Sequence, residues 1–234
     1  MVDEQLPERV ELVVADPGGK HHQRAEGGPL YAAVDPRTNT LYVVNASTPH
    51  AAGVVTVVDA ARCDAADTKG CGRVIATIKV GKFPVAAAFS GRTGTLYVAN
   101  LSGNSISVID AAGCNAVTRR ACGRTPRTLR DPAGPDWLGL ANATGTLYAA
   151  KSGKNGNGDT VSVYNAATCD AQTGAGCAQV PRTVTVGSGA FGLAVDQRSG
   201  AVYVASNNDG TISVIDGSAC NALHQARGQL AAAA

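Results

Sequence analysis

Gly94-Thr-Leu-Tyr-Val-Ala-Asn100, then Asn104-Ser-Ile-Ser-Val-Ile-Asp110 and Cys114, is the stretch from which the fold is read. It is stated four times. Tyr42, Tyr97, Tyr148 and Tyr203 head the copies at spacings of 55, 51 and 55 residues, and Cys63, Cys114, Cys169 and Cys220 follow at 51, 55 and 51. Self-similarity with a period of roughly 40–55 residues marks a propeller, solenoid or array. In the second copy, Val85–Phe89 reads as a first strand and Thr95–Asn100 as a second. Ser105–Asp110 reads as a third and Arg124–Arg130 as a fourth. Val, Ile, Tyr and Thr fill the strands, while Gly, Asn, Asp and Pro punctuate them.

Leu96 and Val98 alternate with Tyr97 and Ala99, so both faces of the second strand are apolar. Sheets covered on both sides carry that pattern. Four-stranded units with two buried faces stack around an axis, and the fold class expected is all-β, a β-propeller of four antiparallel strands per repeat. A β-sandwich ranks second, because nothing in it demands four copies of one unit. The repeats divide as 30–84, 85–137, 138–191 and an incomplete 192–230, with 8–14 as an outer strand and 1–234 as one unit. Glu8–Val14 reads as a fourth strand with nothing before it, and the last copy shows no fourth strand after Cys220. Either the N-terminal strand completes the last blade and closes a four-bladed ring, or the chain is a segment of a larger, about seven-bladed, propeller.

The residues Thr40-Leu-Tyr-Val-Val-Asn45, Thr95-Leu-Tyr-Val-Ala-Asn100, Ile106-Ser-Val-Ile-Asp110 and Ile212-Ser-Val-Ile-Asp216 resemble YVTN-family β-propeller repeats. The Asp-Ala-Ala-x-Cys-Asn/Asp-Ala extension is similar to the cysteine-bearing type of secreted bacterial members. This resemblance implies a propeller, commonly of seven blades, exported or surface-associated, without general catalytic residues. The third copy departs from it, with Tyr148-Ala-Ala-Lys151 for Tyr-Val-Ala-Asn and Tyr164-Asn165 for Ile-Asp.

Cys63/Cys71, Cys114/Cys122 and Cys169/Cys177 each enclose seven residues, between the third and fourth strands of a repeat, and Cys220 is left over. Three in-register pairs and one orphan predict three local disulfides and a free Cys220; zinc sites prefer closer Cys pairs. Disulfides belong to oxidising compartments, so an extracellular or cell-surface location is expected, although Met1–Val10 lacks the pattern of a secretory signal.

Net charge is only +2 and no Lys/Arg cluster stands out, which removes the electrostatic case for nucleic acid. No run approaches the ~18 apolar residues that a membrane span needs. With 44% apolar and 16% charged residues the chain is not a disordered one.

In a propeller, the loops joining strands two and three share one end with those joining successive repeats, and the cysteine loops lie at the other. The expected ligand-binding face is His50, Lys154, Asn155, Asp159, Asn208 and Asp209 from the first set, with Lys82, Phe83, Asp136 and Trp137 from the second. Lys151, Asn157, Asn207, Lys20 and Arg24 fall on the same loops. His21 and His22 are weak metal candidates; solvated loop histidines are the plainer reading. Trp137 reads as a core cap beneath Pro132 and Pro135 before it reads as a ligand platform. Asn155-x-Asn157-x-Asp159 opens like a calcium loop but has Thr160 and Ala166 where Gly and Glu belong, so it is a flexible turn. Gly187-Ser-Gly189-Ala-Phe-Gly192 matches a dinucleotide fingerprint by letter only, because a strand follows it. Asn45, Asn100 and Asn142 begin glycosylation sequons; the first two end strands, which explains them without glycan.

No nucleophile elbow, metalloprotease helix or phosphate loop occurs, and neither a cofactor nor a resident metal is expected. A non-enzymatic, extracytoplasmic binding or scaffold propeller with a protein or glycan partner is favoured. The alternatives are a lactonase- or lyase-like enzyme at the central channel, or an incomplete propeller without independent function. Open blade edges would favour a homodimer, two copies making an eight-bladed ring.

Overall fold

The computed structural model describes residues 10–15, 20–25, 28–46, 48–63, 69–70, 73–153, 155–224 and 230–231. Among them, strands β1 (Val10–Ala15) and β2 (Lys20–Ala25) form a two-stranded antiparallel ribbon. The rest of the described residues are four four-stranded antiparallel sheets in chain order. The first blade is β3 (Gly28–Asp35), β4 (Thr40–Ala46), β5 (Ala52–Asp59) and β6 (Val74–Lys82). The second is β7 (Pro84–Ser90), β8 (Thr95–Asn100), β9 (Ser105–Asp110) and β10 (Arg127–Arg130). The third is β11 (Trp137–Ala141), β12 (Thr146–Lys151), β13 (Thr160–Asn165) and β14 (Arg182–Thr185). The fourth is β15 (Ala190–Val195), β16 (Ala201–Ser206), β17 (Thr211–Asp216) and β18 (Leu230–Ala231).

Each blade is a meander whose innermost strand packs beside the next: β3 against β7, β7 against β11, β11 against β15. The four sheets are not closed into a ring. Of the strand read over Glu8–Val14, one alternative being that it completes the last blade of a closed ring, the described part lies in Val10–Ala15 and pairs with Lys20–Ala25, while the outermost strand on β17 is Leu230–Ala231. A hairpin partner five residues away costs far less loop-closure entropy than an edge two hundred residues distant. The segment after Cys220, read as strandless, supplies two residues of ladder, too few to carry a period-two pattern.

Burial records which blades have two neighbours. In β8 all six residues are buried, as they are in β12. In β16 only alternate residues are: Val202, Val204 and Ser206 are inside while Tyr203 and Ala205 are exposed. In β3, Ala32 and Val34 face outward. The outgoing face of the fourth blade is therefore uncovered, whereas on the incoming face of the first only the inner strand is exposed, and Val43, Asn45, Thr56 and Val58 are buried.

The cysteine segment latches one blade to the one before it. The Tyr42 hydroxyl donates to the carbonyls of Ala111 and Cys114, at 3.3 and 2.9 Å. Tyr97 does the same to Ala166 and Cys169, at 3.1 and 3.0 Å, and Tyr148 to Cys220 at 2.7 Å. Two residues past each cysteine, the amides of Ala116, Ala171 and Ala222 donate to the hydroxyls of Thr40, Thr95 and Thr146, at 2.8, 2.9 and 2.8 Å. Between these bonds an Asx turn folds the chain: Asn115 accepts from Val117 and Thr118, Asp170 from Gln172 and Thr173, and Asn221 from Leu223 and His224. The Cys-Asn/Asp-Ala signature is thus the counterpart of the Thr-Leu-Tyr signature one blade back.

Cys114–Cys122 and Cys169–Cys177 are disulfides. Cys63 is also disulfide-bonded, while its expected partner Cys71 lies outside the described residues. Cys220 is free and buried, and burial pushes its thiol pKa up.

Candidate functional site

The antiparallel meander puts the β4–β5, β8–β9, β12–β13 and β16–β17 loops at the same end as the connections between blades. At that end the inner strands begin, and three aromatic rings from three blades meet. Trp137, the first residue of β11, stands edge-on to Tyr31 of β3 with centroids 5.6 Å apart, and lies 6.1 Å from Phe191 of β15. By strand pairing Trp137, opposite Ala150, occupies the position of Tyr31 in the first blade, while Phe191 lies in the register shift at the start of β15. Trp137 is half-buried and Phe191 is 56% exposed. Trp137 packs against the core shared by the third and fourth blades, as the core-cap reading has it.

Beside this group lies a buried polar seam between the second and third blades. Lys151 Nζ sits 3.0 Å from Asp131 Oδ1, both side chains almost wholly inside. Asp136 accepts a hydrogen bond from the Ser152 hydroxyl. The Tyr164 hydroxyl donates to the Arg130 carbonyl at 3.1 Å, and its pKa is raised well above the ordinary value, first by burial and then by the charge of Asp131. The register explains the origin of the seam. Asp131 stands where the other repeats have Val80 and Val186, Lys151 where they have Asn45, Asn100 and Ser206, and Tyr164 where they have Val58, Ile109 and Ile215. At the other seams Gly81 packs on Asn100 and Gly187 on Ser206, so close that a Cβ on either glycine would sit 2.6 and 2.7 Å from the facing side chain. The third repeat's departures at Lys151 and Tyr164 and the second repeat's at Asp131 are one coordinated replacement.

The remaining expected loop residues separate into a connected group and isolated ones. Asn208 donates to the Gly156 carbonyl and to Asn157 Oδ1, at 2.8 and 3.0 Å, while Asp209 accepts from the Ser188 amide at 2.7 Å. These bonds tie the loops of blades three and four together. Asn155 and Asp159 are exposed in the same loop. Lys154 lies outside the described residues. His50 is exposed on its turn, apart from this group. Lys82 ends β6 and is exposed. Phe83 takes a left-handed φ of 50°, which lets its amide donate to Ala51 and its carbonyl accept from Leu101, both at 3.0 Å. Its role is a tight bridge between blades, held against the cost a side chain meets there. His21 and His22, expected in a loop, fall within β2, opposite Val14 and Val13. Asn45 and Asn100 are fully buried and donate to Thr56 and to Ser105 and Ser107, which removes both as glycan acceptors.

At the opposite end, a hollow of about 180 Å³ is lined by Ile78, Val108, Asp110, Arg124 and Arg127. Its guanidinium groups are engaged, Arg127 with the carbonyls of Asp170 and Ala171 and Arg124 with Asp110. Cavities that enclose small ligands run to roughly 300–1,000 Å³.

No protein family and no curated protein sequence matches the chain. Solved structures do. Hydrazine synthase of Kuenenia stuttgartiensis superposes with a TM-score of 0.63 at 18% identity, covering 92% of this chain and 53% of that one. The fold is an open β-propeller. The structure of U3-55K gives 0.56 at 15% identity over 80% of this chain and 48% of the other, and the RRP9 WD40 repeats give 0.56 at 16% over 80% and 47%. This propeller chain spans about half the length of the structures it matches, and at these identities the likeness is one of fold alone. Among the described residues no helix is long and apolar enough to cross a membrane.

Proposed function

We propose that the protein is a non-enzymatic, extracytoplasmic binding propeller built from YVTN-type repeats, and that it presents its axial loop face to a glycan or protein partner. The observation that carries this reading is the convergence of Tyr31, Trp137 and Phe191 at the loop end, next to loops bridged by Asn157, Asn208 and Asp209. Aromatic faces offer apolar contact with little entropy to lose, and neighbouring amides and carboxylates supply hydrogen bonds. That pairing suits a saccharide better than a charged or strongly apolar ligand. The site's buried ionisable groups are engaged with each other: Lys151 holds Asp131, and Ser152 holds Asp136. The disulfides support an oxidising compartment. The uncovered face of the fourth blade, with Tyr203 and Ile212 exposed, supports self-association as part of the same proposal.

Trp137 is the single tryptophan, so its fluorescence reports on this site without labelling. Titration with a panel of soluble oligosaccharides is expected to shift its emission, and Asn208→Ala and Phe191→Ala should each weaken the responding sugar at least tenfold. Protein capture that depends on the same residues, with no sugar response, would assign the face to a protein. Binding unaffected by both substitutions would refute the loop-face reading.

A further inference from the structure

We propose that Asn155 is a self-modifying residue. Its side-chain amide is lost spontaneously through a ring formed with Gly156, leaving aspartate or isoaspartate on the loop, while the fold holds Asn157 back from the same reaction. The reaction stands independently of the ligand reading above, and it falls on one of the loops which that reading uses.

The chain contains two Asn-Gly pairs, Asn155-Gly156 and Asn157-Gly158, both in the β12–β13 loop. Asparagine before glycine is open to this chemistry because no side chain shields the glycine nitrogen, and glycine reaches the backbone angles that the ring needs. The Gly156 nitrogen attacks Cγ of Asn155. A nitrogen–carbon bond forms, the Cγ–Nδ2 bond breaks, and ammonia leaves carrying the amide proton. Water then opens the cyclic imide. Attack at Cγ restores the ordinary main chain with an aspartate; attack at the backbone carbonyl carbon routes the main chain through Cγ and gives isoaspartate. Water is consumed and ammonia released, with no oxidant or reductant, and a neutral side chain becomes a carboxylate.

By sequence the two pairs are equals, and the structure separates them. Asn155 is exposed, and its side chain makes no hydrogen bond among the described residues. Gly156 has a left-handed φ of 73°, and a Cβ built on it would meet nothing within 4 Å. Its amide is held only by the Gly153 carbonyl, 3.1 Å away across a surface turn. Bonds of that kind open locally at little cost. Gly158 is fixed on every side. Its amide donates to the Ser152 carbonyl at 2.6 Å, and its own carbonyl accepts from Gly189 and Ala190 at 2.8 and 3.0 Å. A Cβ there would collide with the Lys151 carbonyl. Asn157 Oδ1 meanwhile accepts from Asn208 at 3.0 Å. The second pair therefore has its attacking nitrogen pinned and its side-chain amide engaged.

The product changes the loop in two ways. Either form adds a carboxylate to a loop that already carries Asp159. Isoaspartate also lengthens the main chain immediately before Gly156, whose carbonyl accepts from Asn208 at 2.8 Å. The tie between the loops of blades three and four is thus what the modification loosens.

The test is incubation of the full chain in mildly alkaline buffer, folded in one series and unfolded in urea with reductant in the other. Samples digested under acidic conditions are mapped by fragment-ion mass spectrometry, which places the amide-to-acid mass gain on Asn155 or Asn157, and isoaspartyl methyltransferase labelling reports the rearranged form. In the folded chain Asn155 is expected to convert roughly tenfold or more faster than Asn157, since reaction at Asn157 must first break the bonds of Gly158. In urea the two should convert at closely similar rates. Equal rates in the folded chain, or an Asn155 that stays intact there while both react in urea, overturn the proposal. Solvent exchange of the Asn208 side-chain amide, followed by nuclear magnetic resonance, should be faster in the isoaspartate form than in Asn155→Asp, which has the charge without the added carbon. Equal exchange in the two overturns the loosening and leaves the reaction site standing. No sugar or partner enters either measurement, so the loop-face reading fails or holds separately.

Discussion

The hydroxyl groups of Tyr42, Tyr97 and Tyr148 are single atoms on which blade-to-blade register depends. Tyr97→Phe would leave the buried carbonyls of Ala166 and Cys169 without that donor, and should cost about 1–2 kcal/mol in urea unfolding. Burial raises the pKa of all three tyrosines, and of Tyr164, well above the ordinary value. A raised pKa in the folded state means that their contribution is complete below the unfolded value of about 10, and is lost as pH climbs beyond it. Alkaline titration should therefore show tyrosinate absorbance from these residues appearing together with loss of the β-sheet circular dichroism signal. Tyrosinate growth from all four well before unfolding would contradict the buried seams. Asp131 and Lys151 present the reverse case. Lys151→Met leaves a carboxylate buried without its counter-charge, and should cost about 3–5 kcal/mol. Asp131→Val with Pro132→Gly, Lys151→Asn and Tyr164→Ile rebuilds the seam used by the other repeats, and should recover most of that loss in the same urea assay.

Among the elements, the cysteine loops and the strands they follow were open to reading before any coordinates. Tyrosine and cysteine registers fixed four meanders, because the period-two apolar pattern and the turn residues are local signals. What each loop does was not local. The carbonyl of Cys114 is held by a tyrosine 72 residues earlier, and the amide of Ala116 by a threonine 76 residues earlier. Nothing in a single copy of the repeat reveals such a partner. The polar seam was hidden for a related reason: Lys151, Asp131 and Tyr164 each look like decay of the pattern, and only their meeting shows that they compensate one another. Trp137 was legible as an aromatic near the loop face, whereas its contacts with Tyr31 and Phe191 needed the arc of blades. The partner of Val10–Ala15 was beyond reach because any bare sheet edge offers the same ladder. For the loops themselves, replacing Cys169 and Cys177 by alanine should lower stability by about 2–3 kcal/mol through the freed nine-residue loop. Thermal unfolding with and without reductant measures it.

Across the whole molecule, each blade leans only on its sequence neighbours, so stability is a sum of sheet terms and seam terms. The second and third blades have two seams apiece; the first and fourth have one. Hydrogen exchange should accordingly be slowest in β8, β9 and β12 and fastest, among the inner three strands of each blade, in β16 and β17. Addition of protein to concentrations that favour self-association should slow β16 and β17 selectively. Uniform protection across all four blades at low concentration would show a ring that is already closed.

The lysine–aspartate seam has a consequence for how such a chain changes over generations. Tandem copies of a gene segment are readily lost or doubled, and two of the three junctions here would accept a neighbour of the common kind. Duplicating the third copy alone would bring a lysine against a valine, and removing it an aspartate against a serine, in a place that water does not reach. Blade count and blade order are thus guarded by two side chains, in an architecture whose backbone would tolerate either error.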